Sequence, residues 1–378
     1  MSLIRMKYII FLLLSFLLTT PRLFSEPVIL NDIDEIYNLN GRDWKFISSS
    51  QMDNSLPDID TSLWKDISIP GLWRRQNLTD VQFGWYQKQI FISEKLTGAN
   101  ISIQSPSFID AHEFYFNGVK IGGEGQIDYS GKCIVNNSRY AIYHIPENLI
   151  RINAKNTIAV RVCNFAGFAG STGGMYIGER RLIKEQFYRT MIWNVAIGLV
   201  FLFVSLYHLI LFLGSKKELG YFYFSIACFL ASCQTLGYFR FTYWIFNSYW
   251  FHFYVFNSGF GIMPLFLVLF IYSFFEYRIP NLIRILNLVV FFVFILFLGS
   301  GLSKNLFQLY SAYGQPFMIL SGIPYLAAIA FVIIQAIKEK KDGARIIAVS
   351  LFVLIVAFLL GLLIYFNIVD IINILPES

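Results

Sequence analysis

The chain has 378 residues, of which 56% are hydrophobic and 14% charged, and its formal net charge is +6. Ordinary soluble domains carry about 25% charged residues, so this composition excludes a wholly soluble protein. The basic residues lie mostly at the edges of apolar runs, which argues against nucleic-acid binding.

The first segment has the pattern of a signal peptide. Arg5 and Lys7 precede an apolar run from Tyr8 to Leu18, and small or polar residues follow up to Ser25. That order predicts a signal peptide over residues 1–25 and export of the segment behind it. A short membrane anchor is the alternative, although the run is short for a span.

Residues 26–185 have the pattern of an exported β domain. Short β-rich runs such as "WYQKQIFIS" (85–93) and "NTIAVRVCN" (156–164) alternate with turn signals. Asn117 and Gly118 lie between two such runs and predict a two-residue hairpin. These features predict a β-sandwich of the jelly-roll type. The acidic residues are scattered, so no catalytic residue is predicted.

The segments "WKDISIPGLWRRQN", "FGWYQKQIFIS", "IDAHEFYFNGVKIGGEGQ" and "AKNTIAVRVCN" carry a resemblance. Together they resemble the galactose-binding-like jelly roll, the non-catalytic N-terminal domain of family 2 glycoside hydrolases. The resemblance implies a saccharide ligand, bound by aromatic faces and nearby polar groups. The candidate ligand-binding residues are Trp73, Arg74, Arg75, Trp85, Tyr86 and Asn117. The alternative is that the aromatic residues fill the core and that Asn117 serves the turn.

The exported domain contains two cysteines. Cys133 and Cys163 are able to form a disulfide bond in an oxidising compartment. Their separation in space does not follow from the sequence, so the bridge stays open at this point.

Residues 190–370 predict an all-α membrane bundle. Six apolar runs have the length that a helix needs to cross a bilayer. They lie at about 191–213, 219–238, 254–275, 282–299, 314–337 and 346–368. A tail of residues 369–378 follows.

Basic residues predict the orientation of this bundle. The loops after the first, third and fifth runs hold eight of them, and the alternate loops hold only Arg240 and Lys304. The richer loops are expected in the cytoplasm, so the tail lies on the outer face with the β domain. A basic group before the first run opposes this rule; its members are Arg180, Arg181, Lys184 and Arg189.

The segment "GLVFLFVSLYHLILFLGSKKELGYFYFSI" (198–226) carries a second resemblance. It is similar to the start of the helical region of bacterial 7TMR-DISM receptors, which carry an exported jelly roll of the 7TMR-DISMED2 type. The resemblance implies a receptor in the bacterial cytoplasmic (inner) membrane with an intracellular output module after a seventh helix. This sequence ends before such a helix. We therefore expect a truncated member, or one that signals through a cytoplasmic partner at its inner loops.

The polar candidates for a role inside the membrane are His208, Gln234, Asn257, Asn287 and Gln335. Structural hydrogen bonding between helices is the alternative. The sequence shows no metal-ligand spacing and no phosphate-binding loop, so no metal and no cofactor is predicted.

The leading hypothesis is thus a membrane sensor that is not an enzyme. Its exported jelly roll binds a small molecule or saccharide, and the helical bundle transmits the signal. A receptor remnant or a glycan-binding membrane tether is the alternative. A membrane-embedded transferase is less favoured, because His252 and Glu276 are isolated groups.

Overall fold

The computed structural model describes residues 28–350 except 79–80, 110, 128–132, 135–140, 165–168, 239–240 and 247, and beyond 350 it describes only residues 352 and 356. The predicted signal peptide, most of the sixth predicted span and the tail lie outside the described residues.

Residues 28–179 form a β-sandwich. Its strands are β1 (Val28–Leu30), β2 (Ile36–Asn38), β3 (Gly41–Ile47), β4 (Lys65–Ile69), β5 (Gly71–Leu72), β6 (Phe83–Ile92), β7 (Ile101–Gln104), β8 (Ser107–Ile109), β9 (Ala111–Phe116), β10 (Val119–Glu124), β11 (Gln126–Ile127), β12 (Cys133–Ile134), β13 (Ile142–His144), β14 (Ala154–Cys163), β15 (Gly170–Thr172) and β16 (Tyr176–Glu179). The predicted sandwich is confirmed.

The largest sheet runs β10-β9-β14-β6-β3-β4, and β1 pairs with β6 in parallel. The facing sheet runs β13-β7-β16-β2. Two smaller sheets, β5-β15-β8 and β11-β12, complete the set among the described strands. The core lies between the two main sheets, where Trp44, Phe114 and Val160 of one sheet pack with Ile103 and Ile177 of the other.

Local sequence sets the turns of the sandwich. Asn117 and Gly118 have φ values of 47° and 85° and join β9 to β10, so the predicted hairpin is confirmed. Cys133 and Cys163 form a disulfide bond with their Cα atoms 6.1 Å apart.

The second half is helical. Its helices are α1 (Arg180–Gly214), α2 (Leu219–Tyr238), α3 (Thr242–Ile245), α4 (Tyr249–Phe274), α5 (Asn281–Gly299), α6 (Lys304–Leu309), α7 (Gln315–Leu320) and α8 (Gly322–Lys338), with a π-helical turn at Tyr310–Gly314. A further helix begins at Ala344.

Five stretches within the described residues are long and apolar enough to cross a membrane. They are Arg180–Gly214, Leu219–Gly237, Trp250–Phe274, Asn281–Leu302 and Asn305–Lys338. They correspond to the first five predicted spans. The protein is therefore a β-sandwich followed by a multi-pass membrane bundle.

Small residues bring neighbouring membrane helices close together. Gly198 of α1 faces Leu236 of α2, where an added Cβ would lie 2.7 Å from the leucine side chain. Gly259 of α4 faces α2, where an added Cβ would lie 2.8 Å from the Leu230 carbonyl oxygen. Close backbone approach lets van der Waals packing drive helix association in lipid, where the burial of apolar surface contributes little.

Candidate functional site

Three of the predicted ligand residues lie in the interior of the sandwich. Trp73 is 1% exposed, and Trp85 and Tyr86 are fully buried. The Trp73 indole N–H donates to the Tyr86 hydroxyl, within the main core. Trp85 points to the opposite face of β6, where it packs on Trp64 and Tyr115. In this structure their rings serve as core side chains, as the alternative interpretation had it.

The other three predicted residues do not join them. Arg74 is exposed and Arg75 is half-buried. The Asn117 amide donates to Leu149 O and to Asn156 Oδ1, both at 2.8 Å, and so supports the turn. The structure thus does not gather the six residues into one site, and their role in ligand binding stays a prediction.

A polar recess lies instead where strand pairing changes along β6. On this edge β3 pairs with β6 only over Lys45–Ile47, and β1 takes over at Ile90. The β3–β4 register also shifts between Gly41 and Trp44. A bulge of this kind re-aims side chains, and here Asp43 turns toward the gap. The recess has a volume of about 200 Å³.

A buried ion pair forms the floor of the recess. Lys88 Nζ lies 2.7 Å from both carboxylate oxygens of Asp43 and 5.7 Å from the Trp44 ring centre. The Lys88 side chain is 4% exposed and that of Asp43 is 29% exposed. Burial lowers the pKa of the Lys88 ammonium, while the hydrogen bond and negative charge of Asp43 oppose the shift.

Three neutral polar groups and a second lysine complete the lining of the recess. Gln87, Gln89 and Thr61 line it together with Lys45, which pairs with Asp66 at 2.7 Å. The Gln87 amide is held by a 3.0 Å hydrogen bond to Leu56 O. The recess therefore offers fixed donors and acceptors side by side, with its charges already paired.

Sequence reasoning missed this recess. Asp43 and Lys88 are 45 positions apart and follow no motif. One signal was present: Tyr86, Lys88 and Ile90 share a face of a strand, so a lysine falls at a core position. Buried lysines are rare without a partner, which makes that position informative.

A second charged cluster lies on the outer face of the same sheet. Glu113 Oε1 accepts from Lys120 at 2.6 Å, and Glu113 Oε2 accepts from Tyr115 at 3.0 Å. Arg161, which is 4% exposed, lies 3.5 Å from Glu113 and 5.6 Å from the Phe83 ring centre. These contacts connect β9, β10 and β14 on that face of the sheet.

The sandwich joins the first membrane helix directly. β16 pairs with β7 and β2 and ends at Glu179, and α1 begins at Arg180. The Glu179 carboxylate accepts from Arg181 N at 2.6 Å and Leu182 N at 3.4 Å, and so caps the helix. Arg180 N donates to Asn100 O at 2.7 Å. The side chain of Ile183 is fully buried.

Three of the predicted membrane polar residues make contacts within the bundle. His208 Nδ1 lies 2.9 Å from Val204 O, and Asn257 donates to Phe253 O at 2.9 Å, each within its own helix. Gln234 lies in the α2–α4 contact at Gly259. A functional role for the three stays a prediction.

Other polar pairs link the membrane helices to one another, and one of them includes Asn287, a predicted candidate. Ser205 of α1 and Ser225 of α2 each donate to the other's carbonyl at 2.9 Å. Tyr325 of α8 donates to Asn287 of α5 at 2.8 Å. Such bonds hold helices in register in an apolar surrounding.

Two loops meet at the end of the bundle opposite the β-sandwich. The Tyr277 hydroxyl donates to Glu339 at 2.6 Å, and Lys341 Nζ lies 4.2 Å from the Tyr277 ring centre. Lys341 also donates to Phe275 O. Hydrogen bonds from Tyr277 and then Gln335 lower the pKa of Glu339, so the carboxylate stays charged.

The chain belongs to the 7TM diverse intracellular signalling family, whose model matches residues 189–377. That range contains α1 from its tenth residue onward and the other membrane helices. The predicted family membership is confirmed. No curated protein matches the chain.

Solved structures similar to the chain include glycosidases. A Bacteroides uniformis beta-glucuronidase 2 is 19% identical, with a TM-score of 0.31 over 38% of this chain and 17% of its own. A Bacteroides vulgatus beta-glycosidase is 21% identical, with a TM-score of 0.31 over 38% and 20%. A Ruminococcus gnavus b-glucuronidase is 12% identical, with a TM-score of 0.31 over 40% and 30%. The chain spans less than a third of each, and this likeness carries no function over.

Proposed function

We propose that the protein is a membrane sensor whose β-sandwich binds a hydroxyl-rich ligand, such as a saccharide, and moves the first membrane helix. The observation that carries the proposal is the direct passage from β16 into α1 at Glu179 and Arg180. A strand in the interior of a sheet and a membrane helix then form one continuous element. Membership of a signalling family supports a sensor rather than an enzyme.

The recess at Asp43 and Lys88 is the proposed ligand site. A sugar hydroxyl both donates and accepts, and it matches a carboxylate oxygen next to an ammonium or amide N–H. The volume of about 200 Å³ suits one small ring; drug-sized ligands need about 300–1,000 Å³. The charges that line the recess are already paired, so a singly charged ligand would leave a net charge there. This favours a neutral ligand.

The proposed signal is a shift between two arrangements of the bundle. A ligand moves such an equilibrium only by its different affinity for the two states. Because α1 packs on α2 through Gly198 and the Ser205–Ser225 bonds, a displacement of the sandwich acts first on that helix pair. The loops joined by Tyr277 and Glu339 offer a cytoplasmic signalling partner a surface at the opposite face. This orientation follows the distribution of basic residues.

Thermal unfolding of the full chain in lipid nanodiscs, with a panel of mono- and oligosaccharides, tests the proposal. A ligand at 100 times its Kd stabilises the protein by about 2.7 kcal/mol and raises the melting temperature. We expect Lys88→Met to abolish the shift. Lys155→Gln is the matched control, since it removes an exposed cation outside the recess and should keep the shift.

Three results would contradict parts of the proposal. If saccharide binding survives Lys88→Met, the recess is not the binding site. If no saccharide raises the melting temperature, the ligand is not a saccharide. Binding that leaves hydrogen exchange of the bundle unchanged would identify a glycan-binding membrane tether instead.

A further inference from the structure

A group of four cations occupies the start of α1, where the helix leaves the sandwich. This basic cluster consists of Arg180, Arg181, Lys184 and Arg189, and all four side chains are exposed. Glu185 is the one acid among residues 180–190. Within the part of the chain that the structure describes, none of the four cations has a carboxylate within ion-pair distance.

The position of the basic cluster is unfavourable for the helix itself. A helix carries partial positive charge at its N-terminus, so acids stabilise the first turn and cations destabilise it. The first turn of α1 holds no acid, and the Glu179 carboxylate caps its N-terminus. The cluster also opposes the distribution of basic residues in the loops. Arg180 and Arg181 lie in the first turn and oppose the first rule, and all four cations oppose the second. This departure indicates a stabilising anion that is external to the chain.

Helix geometry places the basic cluster beside the headgroup layer. The apolar part of α1 starts at Met191, and a helix rises about 1.5 Å per residue. In an upright helix Arg189 then lies about 3 Å, and Lys184 about 10 Å, beyond the hydrocarbon edge. Each headgroup layer is about 5–8 Å thick. Long side chains at these positions reach the phosphate layer, and Arg180 and Arg181 remain about one Debye length above it.

Two aromatic residues mark the same level of the helix. Tyr188 is 42% exposed and Trp193 is 67% exposed, on either side of the hydrocarbon edge. Exposed tyrosine and tryptophan are typical of membrane–water interfaces. Arg181, Lys184 and Tyr188 are spaced i, i+3 and i+7, so they share one side of the helix. The buried Ile183 side chain and the Arg180–Asn100 hydrogen bond fix this turn against the sandwich.

We propose that the basic cluster binds anionic lipid headgroups in the leaflet next to the β-sandwich. Phosphate oxygens would supply the counter-charge that the first turns of α1 lack, and arginine matches them with paired N–H donors. The headgroups thereby hold the sandwich at a fixed height and tilt above the membrane. The proposal stands on the charges and the position of α1 and does not depend on the ligand recess.

Native mass spectrometry of the full chain, titrated in detergent with phosphatidylglycerol or phosphatidylcholine, tests the proposal. We expect the native chain to bind phosphatidylglycerol tightly. The neutral variant R180Q/R181Q/K184Q/R189Q should lose at least about tenfold in affinity, since each cation near an anionic surface raises the affinity severalfold. The charge-keeping variant R180K/R181K/R189K should stay within about threefold of the native chain. Lys216→Gln with Lys217→Gln is the matched control, because it removes two cations from the other end of α1.

Three results would overturn the proposal. One is a neutral variant that binds phosphatidylglycerol as tightly as the native chain does. Another is an inner control that loses as much affinity for phosphatidylglycerol as the neutral variant. An equal affinity of the native chain for phosphatidylcholine would also exclude an anionic headgroup. The single variant Arg181→Gln provides a graded check, because it should lose affinity for phosphatidylglycerol, but less than the neutral variant does.

Discussion

The ion pair on the floor of the recess predicts an unequal response to its two single substitutions. Asp43→Asn leaves the Lys88 ammonium, 4% exposed, without its counter-charge. Removing one partner of a buried pair destabilises a protein by about 3–5 kcal/mol. Lys88→Met leaves the Asp43 carboxylate, which is 29% exposed, and water replaces part of the lost hydrogen bonding. We expect a smaller loss there, of about 1–3 kcal/mol.

The pH dependence of Asp43→Asn follows from the same geometry. Burial already lowers the pKa of Lys88, and the carboxylate opposes that shift, so its removal lowers the pKa further. Between this lowered pKa and the ordinary value near 10.5, the unfolded state binds more protons than the folded state. Stability therefore rises with pH in that window, more steeply in Asp43→Asn than in the native domain.

Urea unfolding of residues 26–190, followed by tryptophan fluorescence, measures both effects. This fragment contains the whole main core, which runs from Leu30 to Ile177. The double variant should be less destabilised than the sum of the two single variants, because both charges are gone. A loss below about 0.5 kcal/mol in Asp43→Asn, with no dependence on pH, would refute the described pair.

Three further predictions concern helix packing and the disulfide bond. Gly259→Ala should destabilise the α2–α4 contact by about 1–3 kcal/mol in detergent unfolding, because its Cβ would lie 2.6 Å from Gln234 Cβ. Gly214→Ala is the control and should be neutral, because an added Cβ at Gly214 meets open space. Ser205→Ala should destabilise the full chain by about 0.6–1.7 kcal/mol in the same assay, and no change would exclude the reciprocal serine bonds as a stabilising contact. If the sandwich is exported, alkylation without reductant should leave Cys133 and Cys163 unmodified. Cys163→Ala should lower the free energy of unfolding by about 3–4 kcal/mol, because the disulfide bond closes a 30-residue loop. Free thiols at both positions would contradict export.

The sandwich was accessible to sequence reasoning because its signals are local. Asn117-Gly118 forms its turn through positive φ, a property of the two residues themselves. The membrane helices were equally accessible, since apolar length alone marks them. The first residue of α1 was less accessible, because the first turns of this helix are polar and carry no apolar period.

The candidate site was not accessible for two physical reasons. Tyr86 and Trp85 lie on opposite faces of β6, and the sequence does not show which face meets the core. In the structure both faces are covered, so both rings are buried. The recess depends on a register shift in β3 and on a change of partner along β6. Tertiary pairing creates those features, and no short motif records them.

Signalling of the proposed kind requires the sandwich and the first membrane helix to move as one body. Pulsed electron paramagnetic resonance tests it with spin labels at His144 and Tyr188, both exposed, in a full chain without Cys228 and Cys233. We expect one narrow distance distribution, which broadens when two glycines are inserted between Glu179 and Arg180. A native distribution as broad as that of the insertion variant would contradict it.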